Sequence, residues 1–472
     1  MKLYKIAWRN LWRNRKRTAI TSASILFAVF FAVVMRSLEL GFYDHMIKNA
    51  IESYSGFLQI QHVDYQTDPS LENTIELDEG FIAQLENAEG VKAVVPRVQT
   101  FALASSGEQT KGALIVGIDP VKEKKLSNPE IRLVRHQFTK ENIERLNENS
   151  GIPESVKEKL NGLLYKSYTN TGTIAMDLDL DEEAESFLLS ILGQETAFPG
   201  EYLQANDDGV LVSERLSKYL KLKVGDTLIL YGQGYQGATA ADLFPVRGIV
   251  SIPNPELDNK LVYASLEKAQ YFSNLGNRIS NLAINLDDNS DKNLKYMEKK
   301  LSDMLNSETV TVENWKVFNK VLWQQIESDN NSGIIFLGLL YFIIFFGIFG
   351  TVLMMIHERY REFGVMVSIG MQKTRLSVIM IYEMILMGIL GVLSGIILSL
   401  PLILTMHYNP VHLTGDMAQM MEDMGFEAVM PLASPGMYMV WQAVIVAIMV
   451  ALSSIYPIRK IFALKEIDAL RA

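Results

Sequence analysis

The 472-residue sequence contains no cysteine and lacks the motifs that mark common enzyme classes. Without cysteine no disulfide can form, so any folded domain must be stabilised by its own hydrophobic core. There is no GxxxxGK[ST] phosphate loop, no HExxH zinc motif and no GxSxG nucleophile elbow. We therefore predict that the chain is not an enzyme and has no catalytic residues, no cofactor site and no metal site.

Charge is nearly absent from four long apolar segments. A helix that crosses a bilayer needs about 20 mostly apolar residues. Four segments reach that length, and we interpret them as transmembrane helices 1 to 4: residues 18–40, 333–357, 376–405 and 437–456. Buried helices of a soluble protein are the alternative, but their apolar runs are usually shorter. Residues 41–332 then form one large soluble domain between the first two spans.

Positive charge is concentrated in the segments that the four predicted spans would place on one side of the membrane. Residues 1–17, 358–375 and 457–472 together hold 15 of the 44 basic residues and only 4 of the 54 acidic ones. Cytoplasmic segments of membrane proteins retain Lys and Arg, so we expect both termini in the cytoplasm and the large domain outside it. The remaining 29 basic and 50 acidic residues leave the rest of the chain acidic, which argues against nucleic acid as a partner. We expect a multi-pass protein of the cytoplasmic (inner) membrane, with its large domain periplasmic or extracellular and with 406–436 as an external loop.

Residues 1–17 combine basic and aromatic side chains at helical spacing. At 100° per residue along a helix, the basic residues lie on one face and apolar and aromatic residues lie on the adjacent face. The basic residues are Lys2, Lys5, Arg9, Arg13 and Lys16, and the adjacent face includes Tyr4, Trp8 and Trp12. This pattern predicts an amphipathic helix on the inner leaflet, which favours membrane lipid as a partner. A plain basic flank is the alternative. No small-residue cleavage site follows Met35, so we predict a retained anchor and not a signal peptide.

The domain at 41–332 is predicted to be mixed α/β. Strand-like runs occur at 56–63, 92–103, 113–118, 227–231, 244–252, 282–286 and 309–312. Ser213 is expected to cap a helix over 213–220. Residues 120–208 are rich in Glu, Lys and Asn, with helical stretches at 139–149, 154–165 and 181–192, and we interpret them as an insertion or second lobe. A helix over 315–327 is expected to continue into the second span.

The short loop at 358–375 carries the most specific local pattern. From Glu358 to Met371 it reads ERYREFGVMVSIGM, with charged residues first and apolar residues after them. This pattern predicts a short amphipathic helix. A loop of this length cannot form a domain, but an apolar helix face offers a docking surface to a partner with a groove.

This segment resembles the coupling element of the FtsX-like permeases, the membrane subunits of MacB-type and LolC/LolE-type (type VII) ABC transporters. The similarity extends to WRNLWRNRKRT before the first span, to VSERLSKYLKLKVGDTL in the large domain, and to the pattern Pro457, Arg459, Ala463, Ile467 and Leu470 in the tail. It implies an α-helical membrane protein with a large extracytoplasmic α/β domain, like the MacB periplasmic core, inserted between helices 1 and 2. The long 120–208 segment and the long loop after the third span depart from the family pattern.

The resemblance also implies which residues meet an ATPase. Those residues are Glu358, Arg359, Arg361, Glu362, Phe363, Gly364, Val365, Ile369 and Gly370. Because this chain has no phosphate loop, ATP and Mg would be bound by a separate cytoplasmic ATPase dimer, and a second permease protomer, identical or paralogous, would complete the complex.

Glu383 is an acid inside the third span, which makes it a functional candidate by default. A structural bond between helices is the alternative. Beyond it lie Gly388, Gly391 and Gly395, of which the last two have the GxxxG spacing typical of close helix contact.

A hydrophobic cargo would meet large apolar side chains near the first two spans and in the loop after the third. The candidates are Phe27, Phe30, Phe31, Phe342, Phe345, Phe346, Met420 and Met424. Ordinary lipid-facing packing is the alternative for the aromatic residues. His407, His412 and the nearby methionines suggest a Cu(I) site as a further alternative, although an adaptable apolar helix face fits Met417, Met420 and Met424 better.

The resemblance implies a permease that converts ATP hydrolysis by its partner into movement of the external domains. That movement would extract or release a hydrophobic cargo from the outer leaflet, and the similarity to LolC and LolE implies lipoproteins. The alternatives are a peptide or antimicrobial efflux permease, an FtsX-like regulator of cell-wall hydrolases, and a membrane sensor or scaffold that transports nothing.

Overall fold

A computed structural model describes residues 3–13, 15–178, 180, 182–305, 307–413, 415–423 and 428–464. Lys2, Met424, Ile467 and Leu470, all used in the predictions above, lie outside the described residues. The described residues form two compact units. The first, which we call the membrane unit, comes from Met1–His45, Val321–Met417 and Ala428–Ala472. The second, which we call the sheet domain, comes from Met46–Lys320 and Ala418–Glu427.

Among the described residues, helices and strands alternate along the sheet domain, whereas the long spans consist of helices. The helices are α1 (Leu3–Arg13), α2 (Arg15–Ile47), α3 (Glu79–Glu86), α4 (Pro120–Glu123), α5 (Lys140–Glu148), α6 (Glu154–Leu160), α7 (Thr171–Leu178), α8 (Glu182–Glu195), α9 (Glu214–Leu220), α10 (Pro255–Asp258), α11 (Leu266–Phe272), α12 (Asp291–Leu305), α13 (Trp315–Phe318), α14 (Lys320–Ser368), α15 (Lys373–Tyr408), α16 (Asp416–Asp423), α17 (Met437–Ser453) and α18 (Ile455–Phe462), with a π-helical segment at Lys48–Ser55. The strands are β1 (Leu58–His62), β2 (Ile75–Glu76), β3 (Val91–Ser106), β4 (Gln109–Ile118), β5 (His136–Gln137), β6 (Ser167–Tyr168), β7 (Val210–Ser213), β8 (Thr227–Gln233), β9 (Thr239–Val250), β10 (Leu261–Ser265), β11 (Arg278–Ile279), β12 (Asn281–Leu286), β13 (Val310–Asn314), β14 (Val411–His412) and β15 (Val429–Met430).

Four helical segments of the described residues are long and apolar enough to cross a membrane. They are Thr18–Ser55, Lys320–Ser368, Lys373–Tyr408 and Met437–Phe462. Each contains one of the four predicted spans. Many large apolar side chains on these helices are exposed, as expected for surfaces that face lipid and not water.

The boundaries around the second span differ from the prediction. A separate coupling helix at 358–375 was expected, but α14 continues without a break through Glu358 to Ser368. No proline interrupts it, and the cost of Gly364 inside a helix, about 1 kcal/mol, is too small to end it. The chain turns only at Gly370, whose φ of 99° suits glycine, and α15 starts at Lys373.

The other ends of the spans also need correction. The helix expected from Trp315 into the second span is interrupted, since α13 ends at Phe318 and Asn319 has non-helical angles (φ −112°, ψ 47°). At the N-terminus, the single helix expected over 1–17 is α1, which ends at Arg13, and α2 begins at Arg15.

The glycines of α15 contact α2 directly. A Cβ atom on Gly391 would lie 2.6 Å from the Ile25 Cβ, and one on Gly395 would lie 2.8 Å from the Val29 Cβ. Any larger residue would collide with these atoms, so the GxxxG spacing sets the distance between the first and third spans.

The sheet domain is built around one nine-stranded sheet. Its strand order is β13-β1-β12-β3-β4-β10-β7-β9-β8, and β3 also pairs with β8. The 16-residue β3 makes this possible, because its first half pairs with β12 and its second half pairs with β4 and β8. Strands β3, β4, β10, β7, β9 and β8 therefore close into a ring, from which β12, β1 and β13 extend.

Helices α5 to α8 have a small hydrophobic core of their own within the stretch interpreted as an insertion. This core contains Phe138, Leu146, Leu160, Ile174 and Leu192, each fully buried. Next to the start of this stretch, Arg97 on β3 forms a fully buried ion pair with Glu123 on α4. The pair fixes α4 to the central sheet, because separating two buried charges would leave both without compensation.

The N-terminus of α9 is capped differently from the sequence-based expectation. Ser213 occupies the predicted position, yet its hydroxyl has no hydrogen-bond partner among the described residues. The buried Asp258 carboxylate accepts hydrogen bonds from the backbone N–H groups of Glu214 (3.1 Å), Arg215 (3.2 Å) and Ile252 (3.2 Å) instead. Burial raises the pKa of Asp258 to about 6.

A pH-dependent contribution to stability follows from Asp258. Because its pKa is higher in the folded state than in an unfolded chain, its contribution is complete below about pH 4 and is lost as the pH rises through about 6. Relative to Asp258→Asn, which does not titrate, the wild type should lose up to about 3 kcal/mol of unfolding free energy between pH 4 and pH 7. Chemical denaturation of the full chain in detergent would measure this, with exposed Asp303→Asn as the control. A constant difference between wild type and Asp258→Asn would contradict it.

Gly391→Leu should force α15 away from α2 and lower the free energy of unfolding of the membrane unit by about 1–3 kcal/mol, as overpacked cores do. Denaturation with SDS in mixed micelles measures this quantity. Gly350→Leu on α14 is the matched control, because no atom lies within 4 Å of a Cβ at that position. Equal losses of unfolding free energy in the two variants would contradict the importance given to the close contact between Gly391 and α2.

Candidate functional site

A buried ion pair joins the second and third spans in the membrane unit. Arg359 on α14 is 3% exposed and Glu383 on α15 is 1% exposed, and Nη1 of Arg359 donates to Oε2 of Glu383. The Arg359 guanidinium also lies over the Phe363 ring, 5.2 Å from its centroid. Two charges this deeply buried are tolerated only when they are paired and hydrogen-bonded.

The amphipathic helix α1 completes the network around this pair. Nδ2 of Asn10 donates to the second oxygen of Glu383 at 2.8 Å. Nη2 of Arg13 lies 3.3 Å from Oε2 of Glu362, which also accepts from Nε of Arg359 at 3.2 Å. The five side chains therefore link α1, α14 and α15, and we call them the polar junction.

The last helix, α18, is attached to the same region. Nζ of Lys373, at the start of α15, donates to the carbonyl oxygens of Phe462 (3.2 Å) and Leu464 (2.7 Å). The ammonium of Lys460 lies 5.8 Å from the centre of the Tyr360 ring. A cation near the C-terminal carbonyls of a helix is favourable because those groups carry partial negative charge.

The end of α14 presents one exposed face beside the polar junction. Glu358, Arg361 and Glu362 are exposed, and so are Val365 and Ile369, which follow them on the chain and are 40% and 83% exposed. Their spacing of three or four residues places them on one side of the helix. We call these five residues the α14 terminal face.

The predicted ATPase contacts divide into two groups. Glu358, Arg361, Glu362, Val365, Ile369 and Gly370 are exposed, whereas Arg359, Phe363 and Gly364 are buried. That these nine residues contact an ATPase stays a prediction, and Arg359 turns inward to Glu383. Neither the contact of Asn10 with Glu383 nor that of Arg13 with Glu362 was predicted, although both residues lie on the predicted amphipathic helix.

The predicted cargo contacts form two separate aromatic sets. The rings of Phe27 and Phe30 each contact Phe31, and the rings of Phe342 and Phe345 each contact Phe346. No ring contact joins the two sets among the described residues. Met420 is exposed on α16. The two sets are thus not brought together within this chain.

A polar cluster lies at the opposite end of α2 from the polar junction. Nη1 of Arg36 lies 2.7 Å from Oε2 of Glu39 and donates a hydrogen bond to Oδ1 of Asn330 at 3.1 Å. The other carboxylate oxygen of Glu39 accepts a hydrogen bond from the Tyr43 hydroxyl at 3.2 Å. From Arg15 to Arg36 the helix rises about 32 Å, which is close to the thickness of a bilayer's hydrocarbon core. The two polar groups therefore mark the two ends of a membrane-sized bundle.

A cavity of about 440 Å³ lies beside Arg36. It is lined mainly by apolar side chains of α2, α14 and α17, including Leu40, Leu337 and Trp441. The Tyr341 hydroxyl, also on its wall, donates to Gln442. Because Arg36 is already paired with Glu39, this mainly apolar space suits an apolar chain.

The sheet domain carries a separate apolar surface on its strand ring. Phe101 and Leu103 on β3, Ile229 and Tyr231 on β8, and Leu243 on β9 are all exposed. Strand register places Leu103 opposite Tyr231 and Ile229 opposite Leu243, so the side chains are neighbours. We call these five residues the ring patch; clustered exposed apolar residues of this kind mark binding surfaces.

One of the two histidines near the loop after the third span is hydrogen-bonded within the protein. Nδ1 of His407 is hydrogen-bonded to the carbonyl oxygen of Leu432 at 2.8 Å. Within the part of the chain that the structure describes, no three His, Asp or Glu side chains are grouped so as to hold a metal ion.

Glu383→Gln should destabilise the membrane unit by about 3 kcal/mol or more, because it leaves the buried Arg359 without its main counter-charge. Unfolding with SDS in mixed micelles gives the free energy. Glu358→Gln is the matched control, since Glu358 is exposed and forms no ion pair with a described residue. Replacing both partners, as in Arg359→Met with Glu383→Met, should recover part of the loss. A Glu383→Gln variant as stable as wild type would contradict the role given to the pair.

Residues 334–465 match the family described as FtsX-like permease C-terminal. No curated protein matches.

Two solved structures similar to the chain are extracytoplasmic domains. The periplasmic region of MacB from Actinobacillus actinomycetemcomitans is 12% identical, covers 58% of this chain and 95% of its own, and gives a TM-score of 0.31. The extracellular domain of the noncanonic ABC-type transporter YknZ from Gram-positive bacteria is 14% identical, covers 55% of this chain and 100% of its own, and gives 0.29. At these TM-scores neither likeness carries a conclusion.

The family match falls on the membrane unit. It includes the last three spans, Arg359, Glu383 and the α14 terminal face. The chain is a multi-pass membrane protein, and the expected resemblance to the FtsX-like permeases is confirmed for residues 334–465, which match the C-terminal domain of that family.

Proposed function

We propose that this chain is the permease subunit of an ABC transporter of the MacB, FtsX and LolC/LolE type. A separate cytoplasmic ATPase dimer binds ATP and Mg, and a second permease protomer completes the complex. The termini and the α14 terminal face lie in the cytoplasm, and the sheet domain lies outside it. The observation that carries the proposal is the α14 terminal face, an exposed helix surface with two apolar residues inside a matched FtsX-like domain.

The polar junction supports the use of this face as the docking site for the ATPase. A partner that pushes on Val365 and Ile369 acts on the end of a helix whose neighbouring turn is tied to α15 and α1 by buried and partly buried polar contacts. Because α14 has 49 residues without a break, it extends over about 73 Å. A displacement at the terminal face would therefore be passed along the whole helix and not absorbed at a hinge.

We infer a hydrophobic cargo, with lipoproteins the class that the resemblance to LolC and LolE favours. Two apolar features support this. The cavity beside Arg36 offers an apolar space, and the ring patch offers an exposed apolar surface on the sheet domain. Movement of the sheet domain would then release the cargo from the outer leaflet.

Ile369→Asp should abolish binding of the ATPase, because a charge at the centre of an apolar contact costs several kcal/mol when it is buried. The chain would be affinity-purified from its host membrane, and co-purified MgATP hydrolysis would be measured. We expect wild-type material to carry ATPase activity and the variant to lose at least nine-tenths of it.

The control for this experiment is Ile131→Asp in the sheet domain, the same substitution at another exposed isoleucine. It should leave co-purified activity unchanged. Full activity with Ile369→Asp, or an equal loss with both variants, would argue against docking at the α14 terminal face and favour a membrane sensor or scaffold.

A further inference from the structure

A groove opens between the amphipathic helix α1 and the third span. It encloses about 550 Å³ and lies within the membrane unit. One wall is formed by Lys5, Trp8 and Arg9 of α1, and the other by Tyr382, Ile385 and Leu386 of α15. Neither the polar junction nor the α14 terminal face contributes a residue to it.

The two walls of the groove differ in chemistry. The α15 wall is apolar and belongs to a helix that faces lipid, and Ile385 and Tyr382 are exposed on it. The α1 wall adds two cations and an exposed tryptophan, a residue type that prefers the headgroup level of a bilayer. A molecule that fits both walls has an apolar chain and a negatively charged head.

The cations of the groove are available for such a head. Within the described residues neither Lys5 nor Arg9 forms an ion pair, and no acidic side chain lines the groove. Arg13, one turn further along α1, differs because it already pairs with Glu362. The nearby Glu383 carboxylate is occupied by Asn10 and Arg359. The charge in the groove is therefore uncompensated and positive.

We propose that this groove is a binding site for one anionic phospholipid of the leaflet in which α1 lies. The phosphate contacts Lys5 and Arg9, and an acyl chain runs along Ile385 and Leu386. Each Lys or Arg near an anionic membrane surface strengthens binding about five-fold, so two together give about 25-fold. Since Asn10 lies on the same helix as Lys5 and Arg9, the bound lipid also holds α1 against Glu383.

The site is tested on the full-length chain, purified in a mild detergent and titrated with phosphatidylglycerol or with phosphatidylcholine of the same acyl chains. Native mass spectrometry counts the bound lipids. Wild type should prefer phosphatidylglycerol, and the double variant Lys5→Gln, Arg9→Gln should bind it about 25-fold more weakly. Ile385→Trp, which obstructs the proposed path of the acyl chain and leaves the charge unchanged, should weaken binding at least five-fold.

The matched control is Arg15→Gln with Lys16→Gln, which removes the same charge from exposed positions outside the groove. It should keep the preference for phosphatidylglycerol. Equal binding of the two lipids by wild type, equal losses in the control and the Lys5, Arg9 variant, or unchanged binding by Ile385→Trp would each overturn the site. Circular dichroism confirms that each variant is folded. The experiment needs no ATPase and no cargo, so its outcome is independent of the proposed transport function.

Discussion

The arrangement of the membrane unit depends on the buried ion pair between Arg359 and Glu383. Neither charge could remain in an apolar bundle alone, so each one fixes the position of the helix that carries the other. Asn10 satisfies the second oxygen of Glu383, which makes a helix outside the four spans part of the same arrangement. Any rotation of α14 large enough to expose its buried face must first break this pair or carry α15 with it.

This pair also explains why an exposed face and a buried face coexist on one short stretch of α14. Arg359 and Phe363 turn inward, while Val365 and Ile369 remain outside. A partner at the α14 terminal face would thus act one helical turn away from the only described ion pair that joins two spans. The partner's binding can shift the equilibrium between two arrangements of the helix bundle if the partner binds one of them more tightly.

Sequence patterns predicted the membrane unit well where the signal is local. Apolar length found the four spans, and GxxxG spacing indicated the contact at Gly391, because both patterns lie within one helix. The partner of Glu383 could not be predicted in this way. Arg359 belongs to another helix, and nothing in a single sequence indicates which turns of two helices come together. The uninterrupted end of α14 was missed because a change from charged to apolar residues resembles a new helix.

In the sheet domain the failures have the same cause. Strands β7 and β10 have only four and five residues, all buried, so they lack the alternation that reveals a half-exposed strand. The side chain that caps α9 belongs to Asp258, which is distant from α9 in the sequence, whereas N-cap preference predicted Ser213. The other seven strands of the nine-stranded sheet overlap the predicted strand-like runs.

The closure of the strand ring has a consequence for how the sheet domain could recognise a peptide. A strand on a closed ring already has a neighbour on each side, so it cannot serve as a template for an added strand. In the described part of the nine-stranded sheet, β13 is the terminal strand that remains. Recognition by β-augmentation would therefore be confined to Val310–Asn314, just before the chain turns into α13 and α14, while contacts elsewhere on the ring must be made by side chains.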